Sequence, residues 1–302
     1  MRVSRRDFLQ SASTAFGVTL LDRISSPDDL EKTIKEIRTN ILEMINEERA
    51  VEKVLPVELD ELATEVATRH AWDLMKGEFT SHWGRDGLKP YHRYSFAGGT
   101  DATAENVSAA DNTWSMKPED LKQDTAYLHL RLYQEKPPYD GHRKTILLPQ
   151  HTHVGLGIVA YQQRLRLVEL FVSRYVAVKP VVREAKPGAD VPFAGKLRRS
   201  YELNYVEVYY EPRPEVPGLD WLRASRSYSL PKESKILRPK IAPPLVYADG
   251  VKGVIEMLDD GGFKVPVKLY KKTPGIYTIV AWIRASRSEP SFPATAVCVK
   301  AL

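Results

Sequence analysis

Seven histidines, His70, His82, His92, His129, His142, His151 and His153, all lie within the first 153 of the 302 residues. Imidazole is the side chain best suited to proton transfer and metal binding near neutral pH. Any chemistry is therefore expected in the first half, and the histidine-free remainder reads as a spacer or binding module. Four stretches concentrate reactive residue types: Thr80-Ser81-His82-Trp83-Gly84-Arg85-Asp86-Gly87, Thr103-Ala104-Glu105-Asn106-Val107, Tyr133-Gln134-Glu135, and Asp140-Gly141-His142-Arg143-Lys144-Thr145-Ile146-Leu147. His151-Thr152-His153 follows them. Ser81 beside His82 suggests a nucleophile and its base. Neighbours on an extended segment point to opposite faces, however, which makes them poor partners. Neither a Gly-x-Ser-x-Gly element nor a His-Glu-x-x-His helix is present.

The other histidines carry weaker signals. His70 shares a helical face with Val66 and Leu74 and reads as a hydrogen-bonded core residue. His151 and His153 would point the same way in a strand, as a chelating pair or simply as a loop entering a strand. His92 and His129 have no informative neighbours. Trp83 and Tyr91 are candidates to wall a cleft or to fill core, and Asp86-Gly87 reads as a turn that positions His82.

The elements that must position these groups differ between the halves. Ser26-Pro27-Asp28-Asp29 is a helix start, after which Leu30, Ile34, Ile37, Ile41 and Ile45 recur at helical spacing. A second helix is expected from Leu59 to Gly77, a short helical patch near Ala104-Glu105-Asn106, and a third long helix over Leu121 to Tyr133. Two strands follow, Val154 to Ala160 and Leu165 to Val176, joined at Gln162-Gln163. Beyond the linker signal Lys186-Pro187-Gly188, segments of period two take over: Val206 to Tyr210, Val251 to Met257, Phe263 to Leu269, Ile276 to Ile283 and Ala296 to Val299. The expected class is α+β: an N-terminal α/β/α sandwich followed by an all-β, immunoglobulin-like sandwich.

Composition narrows the functions. The 44 basic and 39 acidic residues are interleaved, giving a net charge of +5 without the concentrated basic stripe of a nucleic-acid binder. No apolar run is long enough for a membrane span. The one cysteine, Cys298, excludes an internal disulfide and any multi-cysteine metal site. The N-terminal Ser4-Arg5-Arg6-Asp7-Phe8-Leu9, followed by a mildly apolar stretch to Leu21, resembles the bacterial twin-arginine export signal. The expected organisation is an export signal at 1–24, a first domain at 25–178 and a β-sandwich at 179–302. The expected location is outside the cytoplasm, periplasmic or extracellular.

From Ile45-Asn46-Glu47-Glu48-Arg49-Ala50 to about Val176, the order and spacing of these elements resemble the CAP superfamily of cysteine-rich secretory, antigen 5 and pathogenesis-related 1 proteins. The likeness is greatest to its bacterial secreted branch. The resemblance implies a cleft lined by two histidines and two acids. His82 matches the first histidine, in a Ser-His-x-x-x-Asp-Gly element. Glu105 matches the acid of Gly-Glu-Asn, with Ala104 in place of glycine. His142 matches the histidine of Gly-His-Arg-x-Asn-Ile-Leu, with Thr145 in place of asparagine. For the fourth position the candidates are Glu135 and Asp140.

A cleft of this kind suits Zn²⁺ or another divalent metal, weakly bound by His82, His142, Glu105 and Glu135. Protons would compete for the imidazoles, so affinity is expected to fall below about pH 6. The alternative is a purely structural hydrogen-bonded network. Functionally, the expectation is an exported binding protein, more a module than an enzyme, for an envelope ligand (lipid, glycan or peptide). The alternative is a hydrolase of peptide or cell-wall polymer using His82, Glu105, Glu135 and His142.

Overall fold

The computed structural model describes residues 27–112, 115–198 and 200–302. The expected export signal and the Ser26 cap lie outside these. The first half runs α1 (Pro27–Val51), β1 (Glu58–Leu59), α2 (Glu61–Gly77), α3 (Pro90–Phe96), β2 (Ala102–Asp111), α4 (Pro118–Tyr133), α5 (Gly141–Ile146), β3 (His153–Tyr161) and β4 (Arg164–Ser173). The second half runs β5 (Val176–Val178), β6 (Glu184–Ala185), β7 (Asp190–Leu197), β8 (Glu202–Pro212), α6 (Leu219–Arg223), β9 (Glu233–Leu237), β10 (Glu256–Met257), β11 (Gly262–Lys268), β12 (Gly275–Arg284), β13 (Phe292–Pro293) and β14 (Val297–Ala301). Two compact units result, each discontinuous in sequence. The first takes the chain up to Arg85, Ala104–Phe171 and Gly218–Arg226. The second takes Asp86–Thr103, Val172–Pro217 and Ser227–Leu302.

The first unit is layered around a four-stranded sheet of order β1-β3-β4-β2. Ile34, Ile37, Ile41 and Ile45 of α1 bury themselves with Leu121, Leu128 and Leu132 of α4 against Val154, Leu156, Ile158, Leu165, Leu167 and Phe171 of the sheet. Side chains alternate along a strand, so Gly155 and Gly157 lie on the opposite face, where α2 packs. A Cβ on Gly155 would stand 2.1 Å from the Ala63 carbonyl carbon, and one on Gly157 would stand 2.2 Å from that of Ala67. Helix and strand backbones approach this closely because both residues lack side chains. The Asp60 carboxylate caps α2 by accepting from the Ala63 N–H at 2.6 Å. The β3–β4 hairpin turns at Gln162 and Gln163, both at positive φ (48° and 58°), as a type I′ turn requires.

The motif Asn46-Glu47-Glu48-Arg49 has a physical explanation in this frame. The Asn46 amide mimics a strand partner, donating to Val57 O (3.0 Å) and accepting from Val57 N (2.8 Å). The fully buried Arg49 guanidinium donates to the carbonyls of Leu55, Ile146, Leu148 and His151. It thereby ties α1 to the end of α5.

Two differences from the sequence reading stand out. Ala104-Glu105-Asn106 is not helical but part of strand β2, because the sheet's need for an edge partner to β4 outweighs the helix propensity of a short Ala-Glu stretch. Val251 to Met257 supplies only the two-residue β10, with no alternating run beyond it.

In the second unit, a sheet of order β10-β11-β7-β5 and one of order β6-β14-β12-β8-β9, with β13 paired to β12, share one apolar core. Val191, Phe193, Phe263, Val265 and Val267 of the first sheet meet Val206, Val208, Tyr277, Ile279, Val297 and Val299 of the second. Within this unit, α3 is held by Glu211, whose carboxylate accepts from Lys89 Nζ (2.7 Å) and Tyr91 Oη (3.1 Å). His92 Nε2 lies 3.1 Å from the same carboxylate.

Candidate functional site

Helix α2 delivers the first arm of the site. It ends at Gly77, and Glu78 takes a left-handed conformation (φ 53°) that turns the chain toward Ser81 and His82. His70, buried on α2, donates through Nε2 to the carbonyl of Ser81 at 2.9 Å, so the helix holds the loop one residue before His82. His82 Nδ1 then donates to Glu105 Oε1 at 3.1 Å. The Glu105 carboxylate is 1% exposed, and His70 Nε2 stands 3.8 Å from the same oxygen. His70 is thus a core residue, as its apolar neighbours indicate, but one placed against Glu105. Its helical spacing alone did not reveal that second role.

The second arm comes from the end of α4 and the start of α5. Glu135 grips His142 twice: Oε1 accepts from the ring Nδ1 at 2.6 Å and Oε2 from the backbone N–H at 3.0 Å. Arg143 closes the corner by donating to Tyr133 O (3.0 Å), with its guanidinium 4.3 Å from the centre of the Tyr133 ring. Asp140, the other candidate for the fourth position, turns to Lys144 Nζ at 2.8 Å. That hydrogen bond, with the lysine's charge, lowers the Asp140 pKa. Glu135 is the acid beside His142.

The two arms bring the rings of His82 and His142 to a centroid separation of 6.4 Å and an interplanar angle of 36°. Each imidazole has its Nδ1–H on a carboxylate. In that tautomer the lone pair sits on Nε2, the arrangement that orients a histidine toward a metal or a proton donor. Among the described residues no three His, Cys, Asp or Glu side chains converge to hold a metal ion. What the geometry offers a cation is two imidazoles, each backed by an acid.

The remaining candidates fall elsewhere. Ser81 Oγ accepts from Trp83 N at 3.1 Å. Trp83 meets Trp221 edge to face with centroids 5.1 Å apart, inside the first unit. Tyr91 and the Asp86-Gly87 turn belong to the second unit. His151 is buried and stacked on Phe171. Burial, followed by the Arg49 charge, pushes its pKa down to about 3. His153 Nδ1 is hydrogen-bonded to Thr152 Oγ1 at 2.8 Å, so His151 and His153 do not act as a pair.

A second histidine–carboxylate group lies buried in the same unit, unseen in the sequence. His129 on α4 donates through Nδ1 to Glu169 (2.6 Å) and through Nε2 to Glu48 (3.0 Å). Burial alone would lower the His129 pKa. The charge and hydrogen bond of Glu169, and then those of Glu48, outweigh it and raise the pKa to about 10. Burial raises the Glu48 pKa. Its neighbours along the helix gave no signal, because its partners are 81 and 40 residues away.

The α/β/α unit, whose loops carry the two histidine–carboxylate pairs, is the part of the chain that a family model matches. The model of the CAP, cysteine-rich secretory protein, family matches residues 42–175, so the chain carries a CAP domain. Among solved structures, one similar chain is an extracellular protein containing an SCP domain from Bacillus anthracis, with 20% identity over 53% of this chain and a TM-score of 0.37. The present chain spans 46% of that protein's length. Another is an outer surface protein of Borrelia burgdorferi, with 17% identity over 46% of this chain and 94% of that one, and a TM-score of 0.38. No curated protein matches the chain in sequence.

Proposed function

We propose that this is an exported CAP-domain protein that binds an envelope ligand in the cleft of His82, Glu105, Glu135 and His142, with a weakly held divalent cation in the same site. The observation that carries the reading is the double pairing: each ring's Nδ1–H meets its own carboxylate, at 3.1 and 2.6 Å, with the rings 6.4 Å apart. These residues fit an open site. His82 and His142 would supply the nitrogen donors, Glu105 and Glu135 would orient the rings and balance charge, and the other positions would fall to water or ligand. A zinc ion in such a site polarises a bound carbonyl or acidifies a bound water. The alternative, a hydrolase of peptide or cell-wall polymer, would use the same four residues, His82, Glu105, Glu135 and His142, and would be recognised by turnover that Glu105→Gln abolishes.

Calorimetric titration with Zn²⁺ tests the site. Wild type is expected to bind with a Kd between roughly 1 μM and 1 mM, and the His82→Ala/His142→Ala protein to give no heat. Equal heats from the two proteins refute it. Export by the twin-arginine route is part of the proposal. Replacing Arg5 and Arg6 by Lys should retain the protein in the cytoplasm on fractionation.

The second unit is proposed to be an immunoglobulin-like module that spaces the cleft from a surface or binds a partner. Support comes from strand order. The series β10-β11-β7-β5 and β6-β14-β12-β8-β9 corresponds to strands D-E-B-A and A′-G-F-C-C′ of that fold. The parallel pairing of β6 with β14 fits the A′–G position. No helix of the described residues is long and apolar enough to cross a membrane.

A further inference from the structure

A continuous chain of hydrogen bonds leads from the buried His129 cluster to the cleft. Glu48 Oε2 accepts from His129 Nε2 at 3.0 Å, and Glu169 Oε1 accepts from His129 Nδ1 at 2.6 Å. The other Glu169 oxygen accepts from Asn106 Nδ2 at 3.1 Å. The same Asn106 amide donates to the backbone carbonyl of His142 at 3.2 Å. His129, Glu169 and Asn106 are all fully buried. The chain crosses four elements, α1, α4, β4 and β2, and ends on the residue whose ring faces His82.

Two buried carboxylates around one imidazole form a costly arrangement, and apolar packing of the same volume would usually serve stability as well. With Glu48 and Glu169 both ionised, both ring nitrogens of His129 are donors and the ring is an imidazolium. One positive charge then stands between two negative ones. The outer oxygen of Glu169 remains an acceptor, and the Asn106 amide is the donor that meets it. With its Nδ2 fixed in this way, Asn106 has its second N–H directed at His142 O. On the other side of the same residue, Glu135 holds the His142 N–H and ring. The backbone of His142 is thus gripped at both its carbonyl and its amide.

We propose that Glu48, His129, Glu169 and Asn106 are positioning residues that set the placement and tautomer of the His142 ring. None of them touches the cleft through its own ring or carboxylate except by way of Asn106. Glu105 and Asn106 are successive residues of β2, so the strand serves both arms. Glu105 fixes His82, and Asn106 fixes His142. These contacts would place His142 in the same way whether the proposed site takes a metal, an organic ligand or neither.

Long-range ¹H–¹⁵N correlation spectra of the histidine rings in the full-length protein test it without any ligand. In wild type, His142 should show the single Nδ1–H tautomer. In Asn106→Ala that signal should broaden or become a mixture of tautomers, while His82 keeps its wild-type pattern. Glu135→Gln should disturb His142 directly and so calibrates the readout. A folded Asn106→Ala protein with an unchanged His142 ring overturns the proposal. Should that variant not fold, wild type alone decides: His129 Nδ1 must carry a proton at pH 8, and a ring without that proton overturns the chain of donors. The Zn²⁺ titration provides a separate arm. Its failure in wild type would remove the metal reading while leaving the tautomer result standing.

Discussion

His82 and His142 stand with ring centroids 6.4 Å apart, yet each answers to a different acid, Glu105 for one and Glu135 for the other. The Glu105 carboxylate is buried, while that of Glu135 is 25% exposed. In the proposed site the two rings would meet one small ligand without either acid being surrendered to it.

That independence predicts how the site fails. His82→Ala and His142→Ala should each reduce Zn²⁺ affinity nearly as much as the double variant, because a single imidazole is a poor chelate. Glu105→Gln, which leaves both rings in place, should cost about 10- to 100-fold. Calorimetry on the four proteins checks the order, and a stronger loss from Glu105→Gln than from His82→Ala would contradict it.

Glu135 and Asp140 should behave differently. Glu135→Gln disturbs both hydrogen bonds to His142 and should shift its ring resonances. Asp140→Asn loses an ion pair to a largely exposed lysine, should leave the thermal melt little changed, and should leave His142 unmoved.

Stability should peak near neutral pH, for two opposed reasons. His151 is neutral in its buried site, with a pKa pushed down to about 3, chiefly by burial. The unfolded chain takes up that proton near pH 6.5, so the contribution of His151 is intact above about pH 6.5 and is lost as pH falls toward 3. His129 is the reverse. Its pKa is raised to about 10 by Glu169 and Glu48 against the effect of burial. Its contribution is complete below about pH 6.5 and is lost as pH rises toward 10. Urea unfolding from pH 4 to 10 should show both limbs. His151→Phe should flatten the acid limb alone.

Gly155→Ala and Gly157→Ala should each destabilise by about 1–3 kcal/mol, since the added methyl would meet helix backbone rather than a movable side chain. Because α2 steers the Ser81–His82 loop through His70, the His82 ring signals should shift in both variants.

His129→Ala should be the most damaging single change in the first unit, at about 3–5 kcal/mol, because it strands two buried carboxylates without their shared donor. Loss of the folded state at 37 °C, or a fall of that size in chemical denaturation, is the expected result.

Much of the frame was legible in the residues. The isoleucines of α1 and the Val66, His70, Leu74 face of α2 announced their helices, and Gln162-Gln163 its hairpin. His82, Glu105 and His142 were picked out because their local strings resemble the family's motifs, while the fourth position stayed open between Glu135 and Asp140. What escaped depends on partners remote in the chain. Glu105-Asn106 looks helical until β4 is there to pair with β2. The short helix α3, starting at Pro90, was invisible because its stabilising contacts come from Glu211 and Cys298, more than a hundred residues later. His129 seemed unremarkable because Glu48 and Glu169 are distant in sequence.

The discontinuity of the two units has a practical consequence for anyone dissecting the protein. A cut near residue 178 would deprive the first unit of Trp221 and the buried Leu222, and the second of Tyr91, Ser95 and Asp101. Half-length fragments should therefore expose apolar patches and aggregate. Resistance to a protease that cleaves between the halves would have to be judged on the nicked but still associated polypeptide.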